Sequence, residues 1–294
     1  MRGSTPCGCD ANRRYGGNTS CVSLSSPGFD PILFDLGTGL RFFGETQPLD
    51  GSFRGHVLLS HLHWDHIQGL PFFVPIDRPG ARLDIYGPAQ EHGRIADAIE
   101  EFMQPPYFPI RWTDLRGDIT FHDIANCDIE IDGAVVRVRD CPHIGPTNGY
   151  RVERDGVSVA YLSDHQAPFA LDTVAESVLE TCSGVDLLIH DAQYVDEEWD
   201  LKAHWGHCTV GYALRVAHES EVKRLALFHH DPAHGDEWVD RIVADARRKG
   251  ERWGIEVFAA KEGQKVVLDA SDHGIALPAS GAEQVGSRSG RAPE

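Results

Sequence analysis

The stretch "LLSHLHWDHIQGL", residues 58–70, constrains this chain more than any other. It places three histidines and one aspartate within six positions, between an apolar run and an amphipathic one. An apolar run ending in a polar cluster reads as a buried strand that delivers side chains to its tip. Side chains alternate along an extended chain, so His61 and His63 point the same way and reach one ion just past the strand. Leu62 and Trp64 are expected to point away, into the packing. Asp65 and His66 fall where the following helix begins. A single histidine there would be read as a helix cap or a solvated residue. Four alternating polar groups after a buried strand are instead a ligand set, and histidine nitrogens with a carboxylate suit zinc and its first-row neighbours. One short loop cannot wrap four ligands around one tetrahedral ion. Two ions, each completed from elsewhere in the chain, are therefore expected.

Candidates for completion lie at other strand ends. "RVRDCPHIGPTNGYRV" follows a strand with His143, "VSVAYLSDHQAP" ends its strand with Asp164, and "RLALFHHDPAHGDEW" ends its strand with His229 and His230. A site that needs fixed geometry is well served by ligands set on the rim of a rigid sheet. Further strand patterns occur at "PILFDLG", "ARLDIYG", "AVVRVRD", "VDLLIHD" and "GIEVFAA". Helical patterns fit near 66–73, 88–103, 170–181, 209–220 and 236–249. Asp132-Gly133 and Asp155-Gly156 sit between alternating segments and read as hairpin turns. The mixture favours an α/β protein whose helices cover packed sheets. No interior linker marks a second domain, so residues 1–269 are expected to form a single domain. The tail from Ala270 to Glu294 lacks large apolar residues at any useful period and is expected to be disordered.

Charge narrows the function classes. The chain carries 27 basic and 45 acidic residues, a formal net charge of −18, and a field of that sign repels polyanions. Unaided binding of long nucleic acid is thereby disfavoured, whereas a small phosphate ester held by metal ions is not. No apolar run reaches membrane-span length and the start, "MRGSTPCGCD", has no signal-peptide core, so a cytoplasmic location without membrane contact is expected. Seven cysteines, Cys7, Cys9, Cys21, Cys127, Cys141, Cys182 and Cys208, read as reduced thiols, with "CGC" and Cys21 a weak signal for a structural zinc site.

"HLHWDH" resembles the H-x-H-x-D-H motif of the metallo-β-lactamase fold hydrolases, and His143, Asp164 and His229 follow in that superfamily's order. The resemblance covers roughly residues 28–260. It implies a four-layer αββα sandwich with the site at one edge of the paired sheets. It further implies one metal ion on His61, His63 and His143, a second on Asp65, His66 and His229, and Asp164 between them. His229 is preferred to His230 on register, which leaves His165 and His230 with supporting or structural roles. "DLGTGL" matches a family turn in which Asp35 supports the metal loop from behind. "RYGGNTSCV" resembles the segment before the second strand, and in relatives a short apolar strand precedes what here reads "RGSTP". "EFMQPPYFPIRW" is read as a packed surface loop.

"LLIHDAQY" and "WGHCTVGYA" look like motifs of the ribonuclease Z and phosphodiesterase branch, where an acidic residue orients a proton-donating histidine. Here those are Asp191 and His207, with Asp191 in place of the usual Glu and Cys208 in place of the usual Ser. The resemblance thus implies a hydrolase with two divalent ions, zinc first and manganese or iron also accepted, that attacks phosphodiesters through metal-activated water. Asp65 would orient that water and His207, held by Asp191, would act as general acid. Only 20 residues separate His143 from Asp164, too few for the long arm with which bacterial ribonuclease Z grips transfer RNA. A small cyclic or linear phosphodiester is therefore the expected substrate and a homodimer a compatible state. The alternatives are a ribonuclease Z-like RNA endonuclease and an ester, lactone or thioester hydrolase. A non-catalytic binding module ranks last, since all seven ligand positions are filled.

Overall fold

The computed structural model describes residues 1–269; the tail expected to be disordered, 270–294, lies outside them. Five strands, β1 (Val22–Leu24), β2 (Ile32–Phe34), β3 (Arg54–Leu58), β4 (Arg82–Gly87) and β5 (Asp118–Asp123), pair in sequence order. β1 is antiparallel to β2 and the others are parallel. Seven more make the second sheet: β6 (Asp128–Ile131), β7 (Ala134–Asp140), β8 (Asn148–Arg154), β9 (Val157–Leu162), β10 (Leu187–Asp191), β11 (Arg224–Phe228) and β12 (Glu256–Ala259). They also pair in sequence order, antiparallel from β6 to β9 and parallel from β9 to β12.

Alternation along the strands sorts the apolar residues into layers. Val57 packs outward with Leu83 and Ile85 against α1 (Leu40–Gly44), α2 (Trp64–Ile67) and α3 (Ile95–Phe102). Leu58, its neighbour, faces inward with Ile32 and Phe34 onto the other sheet. That sheet answers with Val136, Tyr150, Tyr161, Ile189 and Phe228. Its outer residues, among them Leu188, Leu225 and Leu227, pack against α4 (Glu176–Cys182), α5 (Trp199–Lys202), α6 (Val210–Glu219) and α7 (Asp236–Glu251). Helices therefore cover both sheets, and central strands buried on two faces read as near-continuous apolar runs. The four-layer αββα sandwich expected from the sequence is the observed fold.

Both expected hairpins are present. Asp132 and Gly133 have φ of +48° and +79°, and Asp155 and Gly156 have +52° and +79°, the paired left-handed residues of a type I′ turn. The helices are shorter than the apolar periodicity predicts. The pattern at 66–73 becomes one α-turn and a 3-10 turn, because Pro71 follows at once. α3 starts only after Gly93, whose φ is +106°, and α4 starts after Leu171, whose φ of +55° no α-helix accepts. β6 and β8 are the partners that the two hairpin turns imply, whereas β1 and β5 carry charged or polar residues at alternate positions and were not anticipated as strands.

The inner layer is pinned by Phe34 of β2 stacked on Tyr161 of β9, ring centroids 4.5 Å apart at 10°, both fully buried. Phe34→Ala would leave a cavity between the sheets. It is expected to cost about 3–5 kcal/mol, read as a lowered denaturant midpoint with an unchanged slope.

Candidate metal centre

The C-terminal ends of β9, β10 and β11 lie side by side because these strands are parallel, and β7, antiparallel to β8 as β8 is to β9, ends on the same edge. The loop after β3 reaches that edge from the other sheet, where the Asn148 amide donates to the Ser60 carbonyl at 2.9 Å. The seven ligand positions of the sequence analysis therefore meet there, although they come from four separate places in the chain.

They meet as two groups. In the first, His61 Nε2 is 2.8 Å from His63 Nδ1, His143 Nε2 is 3.2 Å from His63 Nδ1, and Asp164 Oδ2 is 3.7 Å from both His61 Nε2 and His143 Nε2. In the second, His66 Nε2 and His229 Nε2 lie 3.2 and 3.1 Å from Asp65 Oδ2, and 3.1 and 3.3 Å from Asp164 Oδ1. The two oxygens of Asp164 thus face different groups. Ligands about 2.1 Å from a tetrahedral ion would stand about 3.4 Å from one another, so these separations are of the size a metal ion requires. His66 Nε2 and Asp164 Oδ1 are buried, 3.1 Å apart, and yet make no hydrogen bond. A pair of orphaned polar atoms that close is the arrangement two ligands of one cation adopt.

Electrostatics point the same way. Burial works to raise the Asp164 and Asp65 carboxyls, but the surrounding imidazoles, His229 first for Asp164 and His66 first for Asp65, hold both well below the usual range. Among the described residues these two carboxylates and that of Asp35 pair only with histidines. Burial pulls His143 down to about 4 and holds His61 well below its ordinary value, leaving neutral rings with a free lone pair. The donor set, the spacing and the unbalanced buried charge all fit divalent cations.

The remaining nitrogens of the ligands are spoken for. His66 Nδ1 meets Asp35 Oδ2 at 2.7 Å, His143 Nδ1 meets the Gly206 carbonyl at 2.6 Å and His61 Nδ1 meets Ser60 Oγ at 3.0 Å. Such partners fix which nitrogen carries the proton and turn the other toward the centre. Asp35 does support the loop from behind. Besides His66 it accepts from the Ser60 amide (2.7 Å), Ser60 Oγ (2.9 Å) and the Tyr161 hydroxyl (2.7 Å), at a φ of +59°.

His207 Nδ1 lies 2.9 Å from Asp191 Oδ2 and 3.7 Å from Asp164 Oδ2. Burial lowers the imidazole, but Asp191 outweighs it and pushes the pKa up to about 9. The substituted Asp191 reaches His207 because it is itself oriented by the amides of His165 and Gln193, at 3.1 and 3.0 Å. Thr209 caps α6 by accepting from the Tyr212 amide, so capping leaves His207 free for this pairing. His229 faces the centre, whereas His230 turns away against the Tyr15 ring, 5.9 Å between centroids. His165 is buried with Nδ1 3.0 Å from His190 Nε2.

Three expectations need correction or completion. Trp64 does not enter the packing: it is 76% exposed, because the helix begins at this residue and turns its side chain outward. Cys7, Cys9 and Cys21 belong to no metal-capable group among the described residues, and Asn12 Nδ2 donates to Cys7 Sγ at 3.2 Å. Residues Ser4 and Gln193, whose polar atoms reach Asp65 and His229, went unnoticed because nothing in their sequence spacing connects them to the centre.

Comparison with known proteins agrees with this fold. Residues 31–230 match the family described as the Beta-lactamase superfamily domain. A curated relative named ribonuclease Z, from Metallosphaera sedula, is 28% identical over 74% of this chain and 84% of its own length. Among solved structures, the metallo-β-lactamase fold protein YhfI from Bacillus subtilis superposes with a TM-score of 0.66 at 19% identity, covering 90% of this chain and 94% of that one. A diphosphatase of the PhnP family gives a TM-score of 0.61 at 20% identity, with 85% of each chain covered.

The Asp35 cluster yields a stability test. Asp35→Ala removes a buried acceptor shared by four side chains and places alanine at a left-handed φ. The expected loss is about 3–5 kcal/mol by chemical denaturation. Asp35→Asn, which tolerates that φ and keeps one acceptor, is expected to lose less.

Proposed function

The chain belongs to the metallo-β-lactamase superfamily, and from that premise we propose that it is a two-metal phosphodiesterase acting on small cyclic or linear phosphodiesters. The observation that carries the reading is Asp164, with one oxygen in each ligand group, beside a histidine charged by a buried aspartate. His61, His63 and His143 would hold one divalent ion, Asp65, His66 and His229 the other, and Asp164 would bridge them. Zinc suits the donors best, and manganese or iron is accepted. When bound, such a pair lowers the pKa of water and neutralises charge on the phosphoryl oxygens.

The chain's own residues do the rest. Asp65 orients the attacking water and accepts its proton. The water oxygen bonds to phosphorus as the P–O ester bond breaks, and the departing oxygen needs a proton. His207 supplies it: with Nδ1–H committed to Asp191, the transferable proton is on Nε2, and the ring overhangs the centre 5.0 Å from that of His229 and 5.7 Å from that of His143. Products are a phosphomonoester and an alcohol. Residues 1–269 are read as one domain that carries this whole site.

Substrate size is argued from what flanks the ligands. Trp64, Ile144, Phe169 and Trp205 are all exposed, and three of them stand beside or one residue from His63, His143 and His207. Apolar side chains open to solvent and close in sequence to three of the site histidines suit the organic part of a small ester. The 20 residues between His143 and Asp164 are taken up by β8, β9 and their turn. A ribonuclease Z-type endonuclease is the second reading, favoured by the relatives of that name. No helix among the described residues is long and apolar enough to cross a membrane. We keep a cytoplasmic location as part of the proposal.

Metal analysis is expected to find two ions per chain. Asp164→Ala should lose metal and activity together, whereas His207→Ala should keep its metal and lose about 10²–10⁴-fold in turnover. Hydrolysis of bis(p-nitrophenyl) phosphate and of a cyclic-nucleotide panel, measured beside cleavage of a precursor transfer RNA, tests the substrate class. Activity on the RNA alone would overturn the small-substrate reading, and an ester-only profile would overturn phosphodiester chemistry.

A further inference from the structure

One closed circuit of polar contacts joins two of the proposed ligands to two residues that the proposed mechanism does not use. His229 Nδ1 faces Gln193 Oε1 at 2.8 Å, and Gln193 Nε2 donates to Ser4 Oγ at 3.2 Å. The Ser4 amide donates to Asp65 Oδ2 at 2.8 Å, and that same oxygen stands 3.1 Å from His229 Nε2. Four residues from four parts of the chain thus form a ring that includes two ligands of one group and none of the other.

We infer that Gln193 and Ser4 are positioning residues for the Asp65–His66–His229 ion alone, an inference that rests on the two-ion reading above. An amide oxygen can only accept, so Gln193 requires the proton of His229 on Nδ1 and leaves Nε2 as the free donor. That orientation must come from a side chain, since His229 has a φ of +59°, outside the strand conformation that aims its neighbours. Ser4 acts on the other ligand. Its φ of +61° turns the amide toward Asp65, which limits how that carboxylate can rotate.

The segment bearing Ser4 is anchored for the purpose. The Gly3 amide donates to the His230 carbonyl at 3.0 Å, next to the ligand. Arg2 is fully buried and donates to the carbonyls of Gly16 (2.9 Å), Asp231 (3.3 Å) and His234 (2.6 Å). Only glycine fits between these anchors: a Cβ on Gly3 would lie 2.3 Å from His229 Nδ1 and 2.5 Å from Gln193 Oε1. The first group is supported separately, by Gly206 and Ser60, so the two ions should respond differently when the circuit is cut.

The test is stepwise zinc titration against a chromophoric chelator, with metal content by mass spectrometry, on the full chain. Gln193→Met, which keeps the length but removes the acceptor, should weaken one of the two sites by about 10–100-fold and leave the other at the wild-type value. Gln193→Glu restores an acceptor at His229 Nδ1 and should recover most of that loss. Ser4→Ala, which removes the hydroxyl partner of Gln193 but keeps the backbone amide that faces Asp65, should weaken the same site to a smaller degree. His229→Ala is the control for the underlying reading. If it retains both ions at wild-type affinity, the two-ion assignment itself fails. If it loses one ion while Gln193→Met and Ser4→Ala bind both normally, the positioning role is wrong and the assignment stands. Equal weakening of both sites in Gln193→Met would mark a general structural role and likewise overturn the inference.

Discussion

A buried carboxylate with one oxygen turned toward each of two histidine groups is the constraint on which the rest of this structure depends. Taking an ionised group such as Asp164 out of water costs several kcal/mol unless charge and lone pairs are matched around it. No single loop supplies that much compensation. His61, His63 and His66 come from the turn after β3, His143 from beyond β7 and His229 from the tip of β11. Bringing them together requires two sheets packed face to face with their strand ends on one edge, which the inner apolar layer enforces. The architecture and the site are therefore a single problem in where strands end.

Rigidity is then added one atom at a time. The outward nitrogens of His61, His66, His143 and His229 each have a fixed partner, and the partners differ in kind: a hydroxyl, a carboxylate, a backbone carbonyl and a side-chain amide. Two of the residues involved, Asp35 and His229, have left-handed backbones that a free chain would avoid. Strain of this sort persists only where the surroundings over-determine it, as the five contacts converging on Asp35 do.

Much of the centre was legible in the sequence because its ligands follow local rules. Alternation placed His61 and His63 on one side, and register at the end of "RLALF" separated His229 from His230. The sandwich itself followed from apolar runs ending in polar clusters, read with the motif's resemblance. What escaped had no local signature. Gln193 and Ser4 are 189 positions apart and nothing periodic links them. β5, "DITFHD", is masked by Asp118, Thr120 and His122, which alternate with Ile119 and Phe121. Trp64 was misplaced for a different reason: strand alternation was carried one residue into a helix, where the side-chain direction follows another period. Helix lengths failed wherever a proline or a residue of positive φ cut an apolar pattern that itself continued.

Charge on two length scales bears on the substrate. Across the whole chain the formal charge is −18, a field unfavourable to a long polyanion. At the centre, on the two-ion reading, two divalent cations and the charged His207 would outweigh the carboxylates of Asp35, Asp65, Asp164 and Asp191 by one charge. Screening at physiological salt confines each field to about 8 Å. On the proposed function, a phosphodiester with one charge, seated against the ions, would experience chiefly the cationic centre. An RNA would lay successive phosphates beyond that distance, where, on the proposed reading, the net negative charge of the chain works against them. The proposed preference for small esters would thus need no dedicated barrier, since a cationic point set in an anionic protein would suffice.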